Sequence, residues 1–230
     1  MIAQLPLPVQ LREDTTFHNF YEGDNKAVIN FLEQFLSSSQ QQDVFLWGGL
    51  GAGRSHLLQA CCHALSQQQQ MVFYLSLATP QLTPDSIENL EAFQLVCLDD
   101  IDAVMGHKEW EVALFHLYNR LHSVSGGKLL FAASMPPRQL PCVLADLQSR
   151  LAASVVFQVV PLNDEQKVFA LQKRAQLRGL ELSPEVAKFL LAHYSRDMVL
   201  LFSSLAILDR ASLAAQRRLT VPFVKATLAA

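Results

Sequence analysis

Residues 48 to 55 read Gly48-Gly49-Leu50-Gly51-Ala52-Gly53-Arg54-Ser55, followed by His56. Glycines at this spacing let successive backbone N–H groups curl round an anion, and a helix that starts where they end adds partial positive charge. A cationic side chain then reaches the β- or γ-phosphate, and a hydroxyl such as that of Ser55 binds Mg²⁺. The chemistry is therefore the holding of nucleotide phosphates by residues 48 to 56. Arginine stands at position 54, where this pattern carries lysine. Its planar fork keeps the positive charge but cannot place it as a compact ammonium does. The loop reads as one that holds a nucleotide and turns it over poorly.

The flanking residues supply the elements that such a loop needs. Val44-Phe45-Leu46-Trp47 is a short apolar run suited to a buried strand. From Ser55 to Leu65, the apolar Leu57, Leu58, Cys61, Cys62 and Leu65 recur at helical spacing. A tight strand-to-helix turn without a ligand is the plainer alternative. A second acidic element argues for the phosphate reading. Leu95-Val96-Cys97-Leu98 is another apolar strand, and it runs into Asp99-Asp100. Strand ends of this kind point at the phosphate crevice of a parallel sheet. By position, Asp99 would hold Mg²⁺ through water and Asp100 would polarise an attacking water. Two solvated acids at a strand end are the alternative.

Further strands are expected at Met71–Leu75, Lys128–Ala133 and Ser154–Val160. Helices are expected at about Asn25–Leu36, Glu109–His122 and Leu144–Leu151. Strands alternating with helices predict an α/β domain with a parallel sheet flanked by helices. After Pro161 the pattern becomes all-helical. Asn163 caps a helix to Leu177 that Gly179 ends, Ser183-Pro184 starts another, Arg196-Asp197 opens a third through Ala211, and a short one follows Pro222. The expected organisation is an extended segment at 1–14, an α/β domain at 15–161 and a small helical domain at 162–230.

The 230 residues are half hydrophobic, enough for a sizeable core, and the formal net charge is −3. A main surface that binds nucleic acid would be basic. The four cysteines, Cys61, Cys62, Cys97 and Cys142, have no metal-site spacing and read as free thiols in a reducing compartment. No basic segment precedes an apolar run at the N-terminus, and the longest uncharged stretch is too short to span a membrane. A soluble, cytoplasmic protein with no membrane partner is expected.

With these motifs in place, the chain resembles AAA+ ATPases of the DnaA branch over nearly its whole length. The resemblance is carried by Gly51-Ala52-Gly53-Arg54-Ser55-His56-Leu57-Leu58, by Leu98-Asp99-Asp100-Ile101, and by Thr16-Phe17-His18-Asn19-Phe20. Within that branch it is similar to the regulatory members that inactivate the initiator. The resemblance implies that Phe20 and Tyr21 line the nucleotide base. It implies that Ser134 occupies the sensor I position and Arg196, in the helical lid, that of sensor II. Arg150, in Gln148-Ser149-Arg150-Leu151, matches the arginine finger, which stabilises charge on the γ-phosphate of a neighbouring subunit. Gln4-Leu5-Pro6-Leu7-Pro8-Val9 resembles the hexapeptide with which many proteins bind the bacterial sliding clamp. Gln4, Leu5, Leu7, Pro8 and Val9 would make the contacts, and the prolines would lower the ordering cost. Read from its residues alone, the same tail could pack on its own domain.

The resemblance implies a negative regulator of replication initiation. It would carry ADP or another nucleoside diphosphate (or ATP) with Mg²⁺. It would dock on the β sliding clamp and meet DnaA, where Arg150 would promote hydrolysis of DnaA-bound ATP. Contact with DNA would be indirect, through the clamp. No candidate recognition helix follows the lid segment, so no duplex-reading module of its own is expected. Weak intrinsic hydrolysis and homo-oligomers are expected. The alternatives are an ATP-driven loader or motor and a P-loop small-molecule kinase.

Overall fold

The computed structural model describes residues 15–40, 42–123 and 127–228. The N-terminal hexapeptide expected to bind the clamp lies outside these residues. Two compact units divide the chain. One comprises Asn25–Val160 with the stretch up to Phe20; the other comprises Tyr21–Asp24 and the chain from Pro161.

The first unit is built on five strands: β1 (Asp43–Trp47), β2 (Val72–Ser76), β3 (Leu95–Asp99), β4 (Lys128–Ala133) and β5 (Val155–Gln158). All pair in parallel, in the order β2-β3-β4-β1-β5. Side chains alternate faces along a strand, and here both faces are apolar, as a sheet covered on both sides requires. Phe45, Val96, Leu98, Leu129 and Phe131 point to one face. Val44, Leu46, Leu95, Cys97 and Leu130 point to the other. Helices α1 (Lys26–Ser37) and α2 (Arg54–Ser66) cover the second face, with Leu32, Phe35, Leu57, Leu58 and Cys61 buried there. Helices α3 (Lys108–Ser123) and α4 (Ala145–Ala153) cover the first, through Leu114, Leu117, Leu121, Leu147 and Leu151.

The second unit contains α5 (Asp164–Leu177), α6 (Pro184–His193), α7 (Met198–Ala215) and α8 (Val221–Leu228). Asn163 and Gln166 form a reciprocal capping box at the start of α5, and Ser183 caps α6. Two expectations are corrected here. The Asp197 side chain caps α7 by accepting from the Val199 and Leu200 N–H groups. The helix therefore starts at Met198 and runs four residues past Ala211, while Arg196 lies before it. Pro222 lies inside the first turn of α8, where its missing N–H costs nothing. Helix α7 is long and apolar enough, by composition, to cross a membrane. Its Met198, Leu201, Leu205 and Leu208 form part of the core of the helical unit, while Val199, Leu200, Ile207 and Leu213 are exposed.

One buried cation holds α1 against the sheet. Lys128 opens β4, and its Nζ donates to the carbonyls of Phe35, Leu36 and Ser38 at the end of α1. These are carbonyls that a helix leaves unsatisfied, at its negative end. Lys128→Met should lower unfolding stability by about 1–3 kcal/mol, because buried carbonyls lose their donor. A urea midpoint equal to that of the parent protein would refute this capping role.

Candidate functional site

Parallel strands bring their carboxyl ends to one edge of the sheet, and three of these ends form the site. The glycine loop follows β1, Asp99 and Asp100 end β3, and Ser134 follows β4, the strand between them. The loop is forced into its path by close approaches. A Cβ at Gly48 would stand 2.3 Å from the Val159 carbonyl oxygen. Gly53 has φ of 101° and leads directly into α2, and a Cβ there would meet the Phe20 ring at 2.7 Å. Leu50, at the tip, is 89% exposed.

The segment at 15–20 is fastened over α2. His56 Nε2 bonds the Thr16 carbonyl at 2.8 Å, and the Thr15 hydroxyl donates to Gln59 Oε1. Burial lowers the His56 pKa, outweighing that hydrogen bond. The neutral ring remains, with Nε2–H as the donor to Thr16. Phe20 lies edge-on to His56 and is 7% exposed, a support beneath the loop. Tyr21 packs with the hydrophobic cluster of the helical unit.

Arg54 turns inward. Its side chain is 10% exposed, and Nη2 stands 3.6 Å from Asp100 Oδ1. Its Nη1 is buried and has no hydrogen-bond partner. A buried donor left unsatisfied is costly, and this one belongs to the cation that the glycine loop assigns to phosphate. Asp100 adopts the left-handed conformation (φ 52°), which aspartate tolerates, and accepts from the Ser76 hydroxyl at 2.9 Å. Asp99 is 1% exposed and accepts from the Tyr74 hydroxyl at 2.8 Å and from the Asp100 N–H. Burial and then the Asp100 charge raise its pKa, against hydrogen bonds from Ser55 and Tyr74. Burial and the Asp99 charge push Tyr74 far up, so its hydroxyl stays a donor. Ser134 donates to Asp102 through both its N–H and its hydroxyl.

The donor set fits a nucleotide with a divalent cation. The loop N–H groups at the start of α2 and the orphaned Arg54 Nη1 would face phosphate oxygens, the Ala52 N–H being taken by the Gly49 carbonyl; Ser55 and Asp99 would face the cation. Such a cation, when bound, would offset negative charge on the phosphates.

Arg150 is placed elsewhere. It is exposed on α4, and its guanidinium lies over the Tyr118 ring at 5.3 Å from the centroid. The Tyr118 hydroxyl bonds Asp43, the first residue of β1, and Asp43 also pairs with His122 Nε2 at 3.1 Å. Burial and the Asp43 charge push Tyr118 up to about 12. Asp43 and the glycine loop stand at opposite ends of β1, about 13 Å apart at ~3.3 Å per residue. Arg196, in the helical unit, pairs with Asp164 at 3.3 Å, and both are exposed.

The residues that sequence reasoning missed are Gln59, Tyr74, Asp102, Glu111 and Tyr118. Glu111 had a readable signal. It occupies a place in the apolar stripe of α3 with Leu114, Tyr118 and Leu121. Its fully buried carboxylate accepts from the N–H groups of Gly106, Val143 and Leu144, and so fixes the entrance to α4.

A parallel sheet with a glycine loop after β1, paired acids after β3 and a following helical unit defines the AAA+ class of P-loop proteins. Residues 11–158 match the family profile of the bacterial DnaA ATPase domain, and residues 164–228 match that of the Hda lid domain. The chain belongs to the bacterial DnaA ATPase-domain family and is an Hda-like, DnaA-related AAA+ protein. Solved structures agree on the fold. Domain III of the replication initiation protein DnaA from Thermotoga maritima is 20% identical with a TM-score of 0.77, covering 95% of this chain and 97% of that one. AMPPCP-bound DnaA from Aquifex aeolicus is 21% identical with a TM-score of 0.70, covering 88% and 67%. A RuvB variant from Thermotoga maritima is 14% identical with a TM-score of 0.68, covering 95% and 72%.

Two outcomes follow. Gly53→Ala must strain its left-handed backbone by about 1–2 kcal/mol and displace Phe20. Titration with a fluorescent nucleotide should show at least ~10-fold weaker binding, roughly 1.4 kcal/mol; unchanged affinity would contradict the loop geometry. For Glu111, burial favours the neutral form, but the hydrogen bonds from Val143, Gly106 and Leu144 win and hold its pKa below the ordinary 4.5. A depressed acid stabilises the fold above its unfolded value and loses that contribution as pH falls through its folded value. The Tm gap between the parent and Glu111→Gln should therefore be full near neutrality and shrink below pH 4.5. A gap that stays constant down to pH 3 (roughly the lower limit for such a titration) would contradict the assignment.

Proposed function

We propose that this protein is a negative regulator of replication initiation that promotes hydrolysis of DnaA-bound ATP. It would hold an adenine nucleotide, ADP in the working state, with Mg²⁺ between Ser55 and Asp99. DnaA structures with AMPPCP bound support an adenine nucleotide here. Residues 4 to 9 would dock on the DNA-loaded sliding clamp, bringing the protein to the place where its partner acts. Ser134, at the sheet edge beside Asp102, would act as the sensor of the bound nucleotide.

The observation that carries this reading is the position of Arg150. It is exposed, and its contact with Tyr118 lies toward the end of β1 remote from the glycine loop. A guanidinium there suits a γ-phosphate held by another molecule. Arg54 supports the other half of the reading. Its pairing with Asp100 sets a cation against the carboxylate that would polarise water, which favours holding a nucleotide over consuming it.

The test is the rate at which DnaA hydrolyses its bound ATP with this protein, ADP and DNA-loaded clamp present. Arg150→Ala, folded and clamp-bound, should drop the stimulated rate toward the basal one; the full effect of such a finger is on the order of 10³ or more. Stimulation equal to the parent's would sink the finger assignment. Sustained ATP turnover by the isolated chain would favour the loader or motor instead.

A further inference from the structure

Arg150 has a built support. Helix α4 is seated by Leu147 and Leu151, which are buried in the cluster that also holds Leu114, Leu117 and Tyr118 of α3. Its entrance is held by Glu111, also on α3. Seven residues further along α3, the Tyr118 ring lies under the Arg150 guanidinium, and the two side chains are also hydrogen-bonded. Tyr118 is itself fixed from below. Its hydroxyl bonds Asp43, its ring stacks on His122 with centroids 4.0 Å apart, and His122 pairs with the same carboxylate. A 7%-exposed tyrosine held by Asp43 and His122 is a platform beneath an exposed arginine.

We propose that Tyr118 is a positioning residue for Arg150, holding the guanidinium in the orientation in which it meets the partner's phosphate. The proposal rests on the arginine-finger reading of Arg150. An arginine ring contact uses one face of the guanidinium, and the five N–H donors leave several free at its edge. A long side chain ordered before the encounter does not lose that rotamer freedom in the transition state, and small misplacements of such groups cost large factors in rate.

The test measures maximal stimulated hydrolysis of DnaA-bound ATP and the concentration giving half of it, for Arg150→Ala, Tyr118→Phe, Tyr118→Leu and Tyr118→Trp, each with its Tm. Tyr118→Leu should lower the maximal rate roughly 5- to 30-fold, with the half-saturating concentration changed less than about 2-fold, because orientation rather than docking is lost. Tyr118→Phe keeps the ring and should lose only about 2- to 5-fold; Tyr118→Trp, the stronger cation–π partner, should recover most of the rate that Leu loses. An inactive Arg150→Ala beside a fully active, folded Tyr118→Leu would overturn the proposal. A fully active Arg150→Ala would instead remove the finger reading on which it rests. A second measurement needs no partner. The Arg150 Nε–H NMR signal of the isolated chain should be ring-shifted in the parent and in Tyr118→Phe, and move to its free position in Tyr118→Leu. A signal unmoved by loss of the ring would also overturn the proposal.

Discussion

The charge balance between Arg54 and Asp100 governs the glycine-loop edge of the sheet. Keeping a guanidinium out of water is costly unless an opposite charge or other polar partners stand beside it. Asp100 supplies the charge, so Arg54 need not point outward. The arrangement has structural prerequisites. Asp100 must adopt a left-handed conformation, Ser76 must steady its other oxygen, and Gly53 must turn sharply so that Arg54 is the first residue of α2. Asp99 is then left to Tyr74, Ser55 and the backbone. The arginine-for-lysine departure is thus not an isolated substitution; its neighbours are arranged around the larger, forked cation.

Helix α3 is the second organising element. Its apolar stripe packs on the sheet, while the polar members of the same face serve α4. Glu111 holds the Val143 and Leu144 N–H groups just before α4, and Tyr118 meets Arg150 two turns further on. A carboxylate inside an apolar stripe would be a defect if its oxygens were unpaired. With N–H groups from Gly106, Val143 and Leu144 converging on it, it fixes a loop and a helix together.

The architecture was legible because its signals are local. The apolar runs at 44–47, 95–98 and 128–133 place the strands to within a residue or two, and Asn163, Ser183 and Gly179 mark helix ends by cap chemistry that needs no tertiary knowledge. Pairings between distant segments were not legible. Nothing beside Tyr74 in sequence announces Asp99, and nothing beside Tyr118 announces Asp43. Lys128 and Asp43 looked like polar strand edges, yet they are buried because α1 and α3 end above them. The left-handed Asp100 was hidden for the same reason: its conformation follows from partners brought in by β2 and α2. The short helical turn Ile101–Ala103, which carries Asp102 to Ser134, is likewise set by the sheet edge.

The two ends of β1 give the α/β unit a direction. On the proposed reading, the glycine loop at one end would receive phosphate, while Tyr118 and Asp43 at the other hold up a cation that would be given. A body that receives at one end and gives at the other would not satisfy itself. Contacts in which one copy's giver meets the next copy's receiver would be heterologous, running head to tail. Each such association would leave one vacant giver and one vacant receiver, and growth would stop only where the rotation closes a ring or a different molecule takes the end.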